Sequence, residues 1–194
     1  MKLFTNYKKK TDEQLMVLLQ KGDHDALSEL YHRYSTKLLS YFFKMLWKDE
    51  ELAQDSLHDL FVKLIDKAYQ FDTSRRFSTW LYSIAHNMCK NHYRKHEKLQ
   101  LDSIDQIDSH TMIVSSEKQI DPNELENALK NAMNNISGDH QSVFVLRYYE
   151  NMPIKDIAEI MSCSEGTVKS RLFHAKKNLA SQLKQFKEID EGDY

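Results

Sequence analysis

Residues 154–175 read IKDIAEIMSCSEGTVKSRLFHA, and this stretch decides the fold of the C-terminal part of the chain. Its first half predicts a short helix, because apolar residues recur there at spacings of three and four: Ile154, Ile157, Ala158 and Met161. Ser164 is placed to cap a second helix, in which Val168 and Leu172 lie on one face. Two short helices joined by a tight turn form a helix-turn-helix.

The second of these helices has the composition of a DNA-reading helix. Residues 166–187 contain six Lys or Arg and no acid, and the first turn projects Thr167, Lys169, Ser170 and Arg171. A helix fits the B-DNA major groove with its N-terminal residues on the base edges. Gly166 would permit a close backbone approach, either to DNA or to the neighbouring helix. The alternative, a purely structural helical hairpin, explains the packing residues but not the basic polarity.

The rest of the chain also predicts helices. Only 4 Gly and 2 Pro occur in 194 residues, too few for an all-β fold, and 41% of the residues are hydrophobic. Thr11–Gln14 has the form of a capping box, and Asp49 can cap a third helix with an inward stripe that includes Leu57, Leu60, Leu64 and Ile65. A fourth helix is predicted from Ser78 to Lys95. The predicted fold is all-α, with two small domains of four helices each, residues 1–97 and 122–194.

Residues 98–121 lose the helical period and predict a flexible acidic linker between these domains. Within residues 99–121 there are five acids and one base. A solvated spacer explains the polarity, whereas Ile104, Ile107 and Ile113 are more apolar than a spacer needs and favour docking on a partner. Asp121 is placed to cap a new helix that begins at Pro122, and helices are predicted over residues 123–136, 139–149, 153–161 and 164–186.

The formal net charge of -2 conceals an alternation of charge along the chain. Residues 11–66 contain eleven acids and six bases, whereas residues 75–98 contain six bases and one acid. A basic helix alone is often a solvated surface, but one in each domain suits a protein that contacts nucleic acid at two points while an acidic surface meets another partner.

Several functional classes are disfavoured. No apolar stretch has the length of a membrane span or a signal peptide, which predicts a cytoplasmic protein without membrane insertion. The two cysteines, Cys89 and Cys163, are predicted to be reduced. The chain has no P-loop and no His/Cys metal spacing, so we expect no enzyme activity and no cofactor or metal. The competing interpretations are a stand-alone DNA-binding regulator and a protein-interaction module.

Four motifs resemble those of bacterial sigma factors of the sigma-70 family, extracytoplasmic-function (ECF) group. Residues 167–175 resemble the signature GTVKSRLxRA, and residues 77–87, FSTWLYSIAHN, resemble FxxWLYxIAxN. Residues 58–64, HDLFVKL, resemble QDxFxKL, and residues 21–27, KGDHDAL, resemble KGDxxAF. The resemblance extends from about Thr11 to Leu183.

This resemblance implies a transcription initiation factor that directs core RNA polymerase to −35/−10 promoters. The C-terminal domain of the family reads the −35 element in the major groove. The implied −35 residues here are Thr167, Lys169, Ser170, Arg171, Phe173, His174 and Lys177. Arg171 and Lys177 are the implied phosphate contacts, and His174 stands where the family usually has Arg.

The N-terminal domain of the family opens DNA at the −10 element and holds a flipped base in the loop before its fourth helix. An extruded base needs a stacking face and polar edge readers. Phe71 is predicted to stack on the base and Asp72 and Ser74 to read its edge. Trp80 and Tyr82 suit either DNA contact or the core of the bundle. The implied −10 residues are Phe71, Asp72, Ser74, Arg75, Arg76, Trp80, Asn87, Lys90 and Arg94.

The remaining implied contacts are with proteins. The family docks its third helix on the coiled coil of the largest polymerase subunit, which here implicates Asp55, His58 and Asp59. His58 replaces the usual Gln. The resemblance also implies contact with the polymerase flap, regulation by an anti-sigma factor, and a linker that enters the active-site cleft and RNA exit channel.

Overall fold

The computed structural model describes residues 6–46, 49–102 and 122–184, with residues 96–102 and parts of the helix that begins at Pro122 described as backbone only. The predicted linker segment 103–121 and the cap at Asp121 lie outside these ranges. In the described residues all regular structure is helical, which confirms the predicted all-α fold.

Four long helices form the N-terminal domain: α1 (Asp12–Gln20), α2 (His24–Met45), α3 (Glu50–Asp66) and α4 (Phe77–Asp102). Their starts follow the predicted caps. The Thr11 side chain accepts from the Gln14 amide while the Gln14 side chain accepts from the Thr11 amide, and Asp49 accepts from Leu52 at 2.9 Å. The helices pack around a core in which Phe42, Leu60 and Leu81 are fully buried.

Two details of these helices differ from the sequence predictions. α4 continues to Asp102, seven residues beyond the predicted end and five residues into the segment assigned to the linker. Residues 96–102 contain no Gly or Pro that would end a helix. Ile65, predicted to face inward, is 43% exposed, because α3 packs through Leu57, Leu60 and Leu64 instead.

The C-terminal domain contains α5 (Pro122–Asn134), α6 (Gly138–Phe144), α7 (Ile154–Ile160) and α8 (Glu165–Gln182). A π-helical turn, Val145–Tyr149, continues α6 where one uninterrupted α-helix was predicted. The predicted end of the last helix at Phe186 lies outside the described residues. The core of this domain is formed by residues from α5 to α8, including Met133, Val143, Ile157, Val168 and Leu172.

The two domains pack against each other through α2 and α4 of the first and α6, the π-helical turn and α7 of the second. Gln141 of α6 is 3% exposed and donates to the Lys44 carbonyl oxygen at 2.8 Å. The hydroxyl of Tyr82 donates to Glu150, and that of Tyr93 donates to Gln141 at 2.9 Å. The described domains therefore form one compact body with a polar, hydrogen-bonded seam.

The start of α4 is held by an acid from α1. The amide of Phe77, the first residue of α4, donates to the Glu13 carboxylate at 3.0 Å and satisfies a helix-end donor. Burial by itself would raise the pKa of Glu13, but the hydrogen bonds that its carboxylate accepts from the Phe77 amide, its own amide and the Thr11 side chain outweigh burial and, with the charge of Arg76, lower that pKa below its ordinary 4.5. This carboxylate therefore stabilises the fold above pH 4.5, and the stabilisation is lost as the pH falls through the lowered pKa.

We accordingly expect Glu13→Gln to lower the free energy of unfolding by about 0.5–1 kcal/mol near neutral pH, because Gln keeps an oxygen that can accept from the Phe77 amide but loses the negative charge at the start of the helix. The loss of stability on acidification below pH 4.5 should be shallower in the variant than in the wild type. Urea unfolding between pH 3 and 7 measures both effects. Asp66→Asn, which removes an exposed acid at the end of α3, should change stability by less than about 0.5 kcal/mol. An acid dependence equal to that of the wild type in Glu13→Gln would contradict this account.

Candidate nucleic-acid interface

The turn between α7 and α8 has the geometry of a helix-turn-helix. Ser162 adopts a left-handed backbone with φ of 51°, and the amide of Cys163 reaches back to the Ala158 carbonyl oxygen at 2.9 Å. Ser164 then caps α8 by accepting from the Thr167 amide at 3.1 Å. Buried Ile157 and Val168 hold the two helices together, as the spacing predicts.

The outer face of α8 presents the residues implied for −35 recognition. Lys169, Ser170, His174 and Lys177 are all exposed, and the Phe173 ring is 60% exposed, which is unusual for a large apolar side chain. The ring of His140 from α6 lies 6.0 Å from that of His174, between centroids, so α6 also borders this face. The face combines donors for base edges with an apolar ring suited to a thymine methyl group.

Two other residues of this motif, Arg171 and Thr167, have roles inside the domain, whereas Gly166 has none. Arg171 forms an ion pair with Asp139 of α6 and points its Nη1 at the Cys163 sulfur, 3.8 Å away, so it ties α6 to the turn and is not presented as a phosphate contact. Thr167 is half-buried and bonded to Ser164. A Cβ on Gly166 would meet nothing nearer than Ser164 Oγ at 3.6 Å, so the neighbouring helix does not require this glycine.

The loop before α4 is braced from α1. The side-chain amide of Gln20 donates to the carbonyl oxygens of Ala68 and Phe71, at 2.9 and 3.0 Å, at the start of the loop. Glu13 holds its end at Phe77. The sequence analysis did not identify Gln20 and Glu13 as loop contacts. Their partners are 48 to 64 residues away, and such distant contacts produce no pattern in the local sequence. The braced loop carries Tyr69 on its surface, where this side chain is 76% exposed.

The stacking role predicted for Phe71 does not fit the structure. Its ring is 4% exposed and packs edge-on against Phe77 and tilted against Trp80, with centroid distances of 5.8 and 5.0 Å. With so little of the Phe71 ring exposed, a base has no open ring face to stack on. Trp80 packs on Phe71 and Phe77 in this aromatic cluster but is only half-buried, so it contributes to the core and keeps part of its surface exposed.

The polar residues of the loop pair with one another or with the second domain. Asp72 accepts from the amide and the hydroxyl of Ser74, at 2.9 and 2.7 Å, and these bonds lower the pKa of Asp72. Arg76 bonds to Asp156 at 3.0 Å, and Arg75 pairs with Glu159, both acids of α7. The residues predicted to read the base edge, Asp72 and Ser74, are therefore exposed but hydrogen-bonded to each other. Arg75 and Arg76, predicted to contact the DNA strand, are exposed but form ion pairs with α7.

Further along α4, Asn87, Lys90 and Arg94 form an exposed stripe, because they follow one another at spacings of three and four. The adjacent stripe of α4 faces the second domain. Tyr82 is 2% exposed there, which places it in the seam and not on a DNA-facing surface. His86 is also buried, and burial lowers its pKa to about 4, so it is neutral where it meets Ser142 Oγ at 3.3 Å.

The outer face of α3 carries the residues implied for polymerase docking. Asp55, His58 and Asp59 are all exposed on consecutive turns. Sequence reasoning missed their apolar neighbours: Val62 and Ile65 are 44% and 43% exposed on the same face. Tyr31 of α2, 49% exposed, packs on Phe61 at 4.7 Å between ring centroids. Exposed apolar side chains grouped beside acids are typical of a protein-binding surface.

Within the described ranges no cluster of His, Cys, Asp and Glu is arranged to hold a metal ion. The same residues include no helix long and apolar enough to span a bilayer. The exposed face of α8 and the stripe of Asn87, Lys90 and Arg94 on α4 define a DNA-binding protein built from two helical domains.

Comparisons with known proteins refine this class. Residues 30–99 match the family described as Sigma-70 region 2, and residues 126–179 match Sigma-70, region 4. The chain is 30% identical over 181 residues to the RNA polymerase sigma-H factor of Pseudomonas aeruginosa, covering 89% of this chain and 93% of that protein. It is 27% identical over 175 residues to the ECF RNA polymerase sigma factor SigW of Bacillus subtilis, covering 86% and 93%.

Solved structures share the fold. CnrH in complex with the cytosolic domain of CnrY gives a TM-score of 0.66 at 19% identity, over 90% of this chain and 97% of that one. The sigma factor RpoE in complex with the anti-sigma factor NepR from Bartonella quintana gives 0.64 at 23% identity, over 81% and 96%. The chain belongs to the sigma-70 family of RNA polymerase sigma factors, in the ECF group, and is a transcription initiation factor with regions 2 and 4.

Proposed function

We propose that this sigma factor binds core RNA polymerase and directs it to promoters with −35 and −10 elements, reading the first with α8 and opening the second with the N-terminal domain. The observation that carries the proposal is the outer face of α8, where Lys169, Ser170 and Phe173 are exposed on a helix held by a helix-turn-helix. Gly166, which no internal contact requires, leaves room for DNA to approach the start of that helix.

Polymerase docking is assigned to α3. Asp55 and Asp59, with His58 between them, lie next to the exposed side chains of Val62 and Ile65. The two acids can attract a basic partner surface, and the two apolar side chains can then pack against it. We assign the flap contact to the C-terminal domain by family resemblance. An anti-sigma factor is the expected regulator, because the related RpoE was solved with one. Co-elution of the purified chain with core polymerase in gel filtration tests this docking, and separate elution at micromolar concentrations would overturn it.

For the −10 element we assign base stacking to Tyr69 in place of the buried Phe71. Tyr69 is the exposed aromatic residue of the braced loop, and its hydroxyl accepts from Gln70 Nε2 at 2.9 Å, which orients the ring. The exposed charges of Arg75, Arg76, Lys90 and Arg94 would hold the strand backbone once α7 has moved away.

Tyr69→Ala is expected to reduce the amount of open promoter complex by about fivefold to one hundredfold, since one stacked base is worth roughly 1–3 kcal/mol. Tyr69→Phe keeps the ring and should stay within about twofold of the wild type. Permanganate reactivity of unpaired thymines in the polymerase–promoter complex measures opening. Phe71→Ala should instead lower the thermal stability of the protein, because it leaves a cavity in the aromatic cluster. Normal opening by Tyr69→Ala would contradict the assignment.

A further inference from the structure

The outer face of α8 is bordered by a histidine from a different helix. The ring of His140, the third residue of α6, lies 6.0 Å from that of His174, between centroids. His174 is exposed and His140 is half-buried, so both residues remain accessible from solvent. Two imidazoles therefore stand side by side on the face that we assign to −35 DNA.

Ser137 occupies one nitrogen of the His140 ring. Its hydroxyl oxygen lies 2.9 Å from His140 Nδ1 and also accepts from the His140 amide, as the cap of α6. An oxygen that accepts from the amide keeps its own hydrogen to donate to Nδ1, and the neutral imidazole then carries its proton on Nε2. Among the described residues Nε2 of His140 has no hydrogen-bond partner, so it is available as a donor to a ligand.

The charges around His140 favour an anion as that ligand. The charged groups that act on it are Asp139 beside it and Arg171 and His174 of α8. Asp139 forms an ion pair with Arg171, so it does not offset a positive charge on the two rings. Burial, followed by His174 and Arg171, outweighs Asp139 and lowers the pKa of His140 below its ordinary 6.5.

The other elements packed on α6 bring their titratable residues to its buried side. They contact Gly138, Gln141 and Ser142 and include His86 and Tyr93 of α4 and Lys44 of α2. On the outer side, Lys177 is exposed one turn of α8 beyond His174. The outer side of the histidine pair is thus bordered by a further positive charge.

The spacing of the two rings suits a phosphate group. Two nitrogens that donate to different oxygens of one phosphate, at about 2.8 Å each, stand roughly 6–8 Å apart, which fits the observed centroid distance of 6.0 Å. An arginine at position 174 would make two such bonds with one planar guanidinium. An imidazole offers one donor towards a ligand when its other nitrogen is occupied, so a second histidine supplies the bond that His174 alone lacks.

We propose that His140 and His174 form an imidazole pair that binds one backbone phosphate beside the −35 element, and that this contact takes up a proton when DNA binds. The phosphate supplies the negative charge that no group around the pair provides. α6 thereby contacts DNA directly, and the affinity for promoter DNA depends on pH near neutrality. The inference rests on the proposed function, because it takes the outer face of α8 as the −35 surface.

Proton uptake determines the direction of this pH dependence. The pKa of His140 is lowered in the free chain, whereas a bound phosphate raises it, so the complex holds more protons than its separate components. The gain in affinity is therefore fully present below the pKa of His140 in the free chain. It is lost as the pH rises through the higher pKa of His140 in the complex.

NMR titration of the histidine rings in the full chain tests the pairing without DNA or polymerase. His174→Gln should raise the pKa of His140, because it removes a positive charge that acts on that ring. His24→Gln, which removes an exposed histidine at the start of α2, should leave the pKa of His140 unchanged. An unchanged pKa of His140 in His174→Gln would overturn the pairing, whatever the function of the protein.

Binding of the complex with core RNA polymerase to a fluorescent promoter fragment that it transcribes tests the phosphate contact. At constant ionic strength, the affinity should be about threefold to tenfold higher at pH 6 than at pH 8 for the wild type and for the control His24→Gln. His140→Gln should reduce this ratio to less than about twofold. His174→Gln should do the same from an exposed position, so the test does not depend on the folding of one variant. A wild-type ratio near one, or the wild-type ratio in both variants, would overturn the proposal.

Replacing the pair by one guanidinium provides a rescue. His174→Arg with His140→Gln should bind the same fragment at pH 8 at least as tightly as the wild type, with a ratio between pH 6 and pH 8 below about twofold, because Arg makes both bonds and stays charged. Weaker binding of this double variant at pH 8 would contradict a phosphate contact. A wild-type complex that transcribes no promoter would instead refute the proposed function, and the NMR result would stand apart from it.

Discussion

Replacing Lys169 and Ser170 together by alanine is expected to abolish −35-dependent promoter binding while core binding is retained. Both side chains are exposed on the outer face of α8, outside the packing of the helix-turn-helix, so their removal should leave the fold intact. A specific base contact in the major groove is worth about 1–3 kcal/mol, so losing two costs about 2–6 kcal/mol and reduces affinity by about thirtyfold or more. Footprinting of the polymerase complex at the −35 element measures the loss.

Lys184→Ala with Ser181→Ala is the matched control, since it removes the same residue types from exposed positions near the end of α8. These positions lie about 20 Å further along the helix axis at 1.5 Å per residue, beyond the groove-facing turns. The control should bind within about threefold of the wild type. Equal loss of −35 binding and of core binding in Lys169→Ala with Ser170→Ala would indicate misfolding and contradict a specific role in readout.

The second large effect is expected on α3. Asp55→Asn with Asp59→Asn should weaken binding to core RNA polymerase by about one to two orders of magnitude, because loss of charges at an interface slows association and leaves basic partner groups unpaired. Fluorescence anisotropy with labelled protein and purified core enzyme measures the affinity. Asp156→Asn with Glu159→Gln carries the same charge change and should not weaken core binding. If both double variants lost affinity equally, a specific docking face on α3 would be ruled out.

The local part of the structure could be predicted from the sequence. Thr11, Asp49 and Ser164 predict the starts of three helices, because each side chain accepts a hydrogen bond from an amide only three residues further along the chain. The helical period and the scarcity of Gly and Pro then define an all-α fold. The end of α4 was predicted too early because the helix continues through a sequence without a stop signal.

What could not be predicted depends on contacts between distant residues. Phe71 stands among polar loop residues, yet Phe77 and Trp80 enclose its ring. Arg171 belongs to a DNA-binding motif, yet Asp139 holds it within the domain. The spacing of apolar residues along the sequence does not predict which distant residue an exposed charge or an aromatic ring in a loop contacts after folding.

The docking of the domains is a further example. Gln141, Ser142 and Glu150 read as ordinary polar residues of a helical segment, and each bonds to the other domain in the structure. Their partners lie 48 to 97 residues away. Only the structure shows that the basic loop and the acids of α7 meet.

The most direct test of the central claim is transcription in vitro from fragmented genomic DNA of the source organism, with purified core RNA polymerase and with or without this protein. The 5′ ends of the transcripts are then mapped. We predict new 5′ ends that share one pair of upstream motifs at constant spacing, and that disappear with Lys169→Ala and Ser170→Ala. The same 5′ ends with core enzyme alone, or new ends without a shared motif pair, would contradict the account.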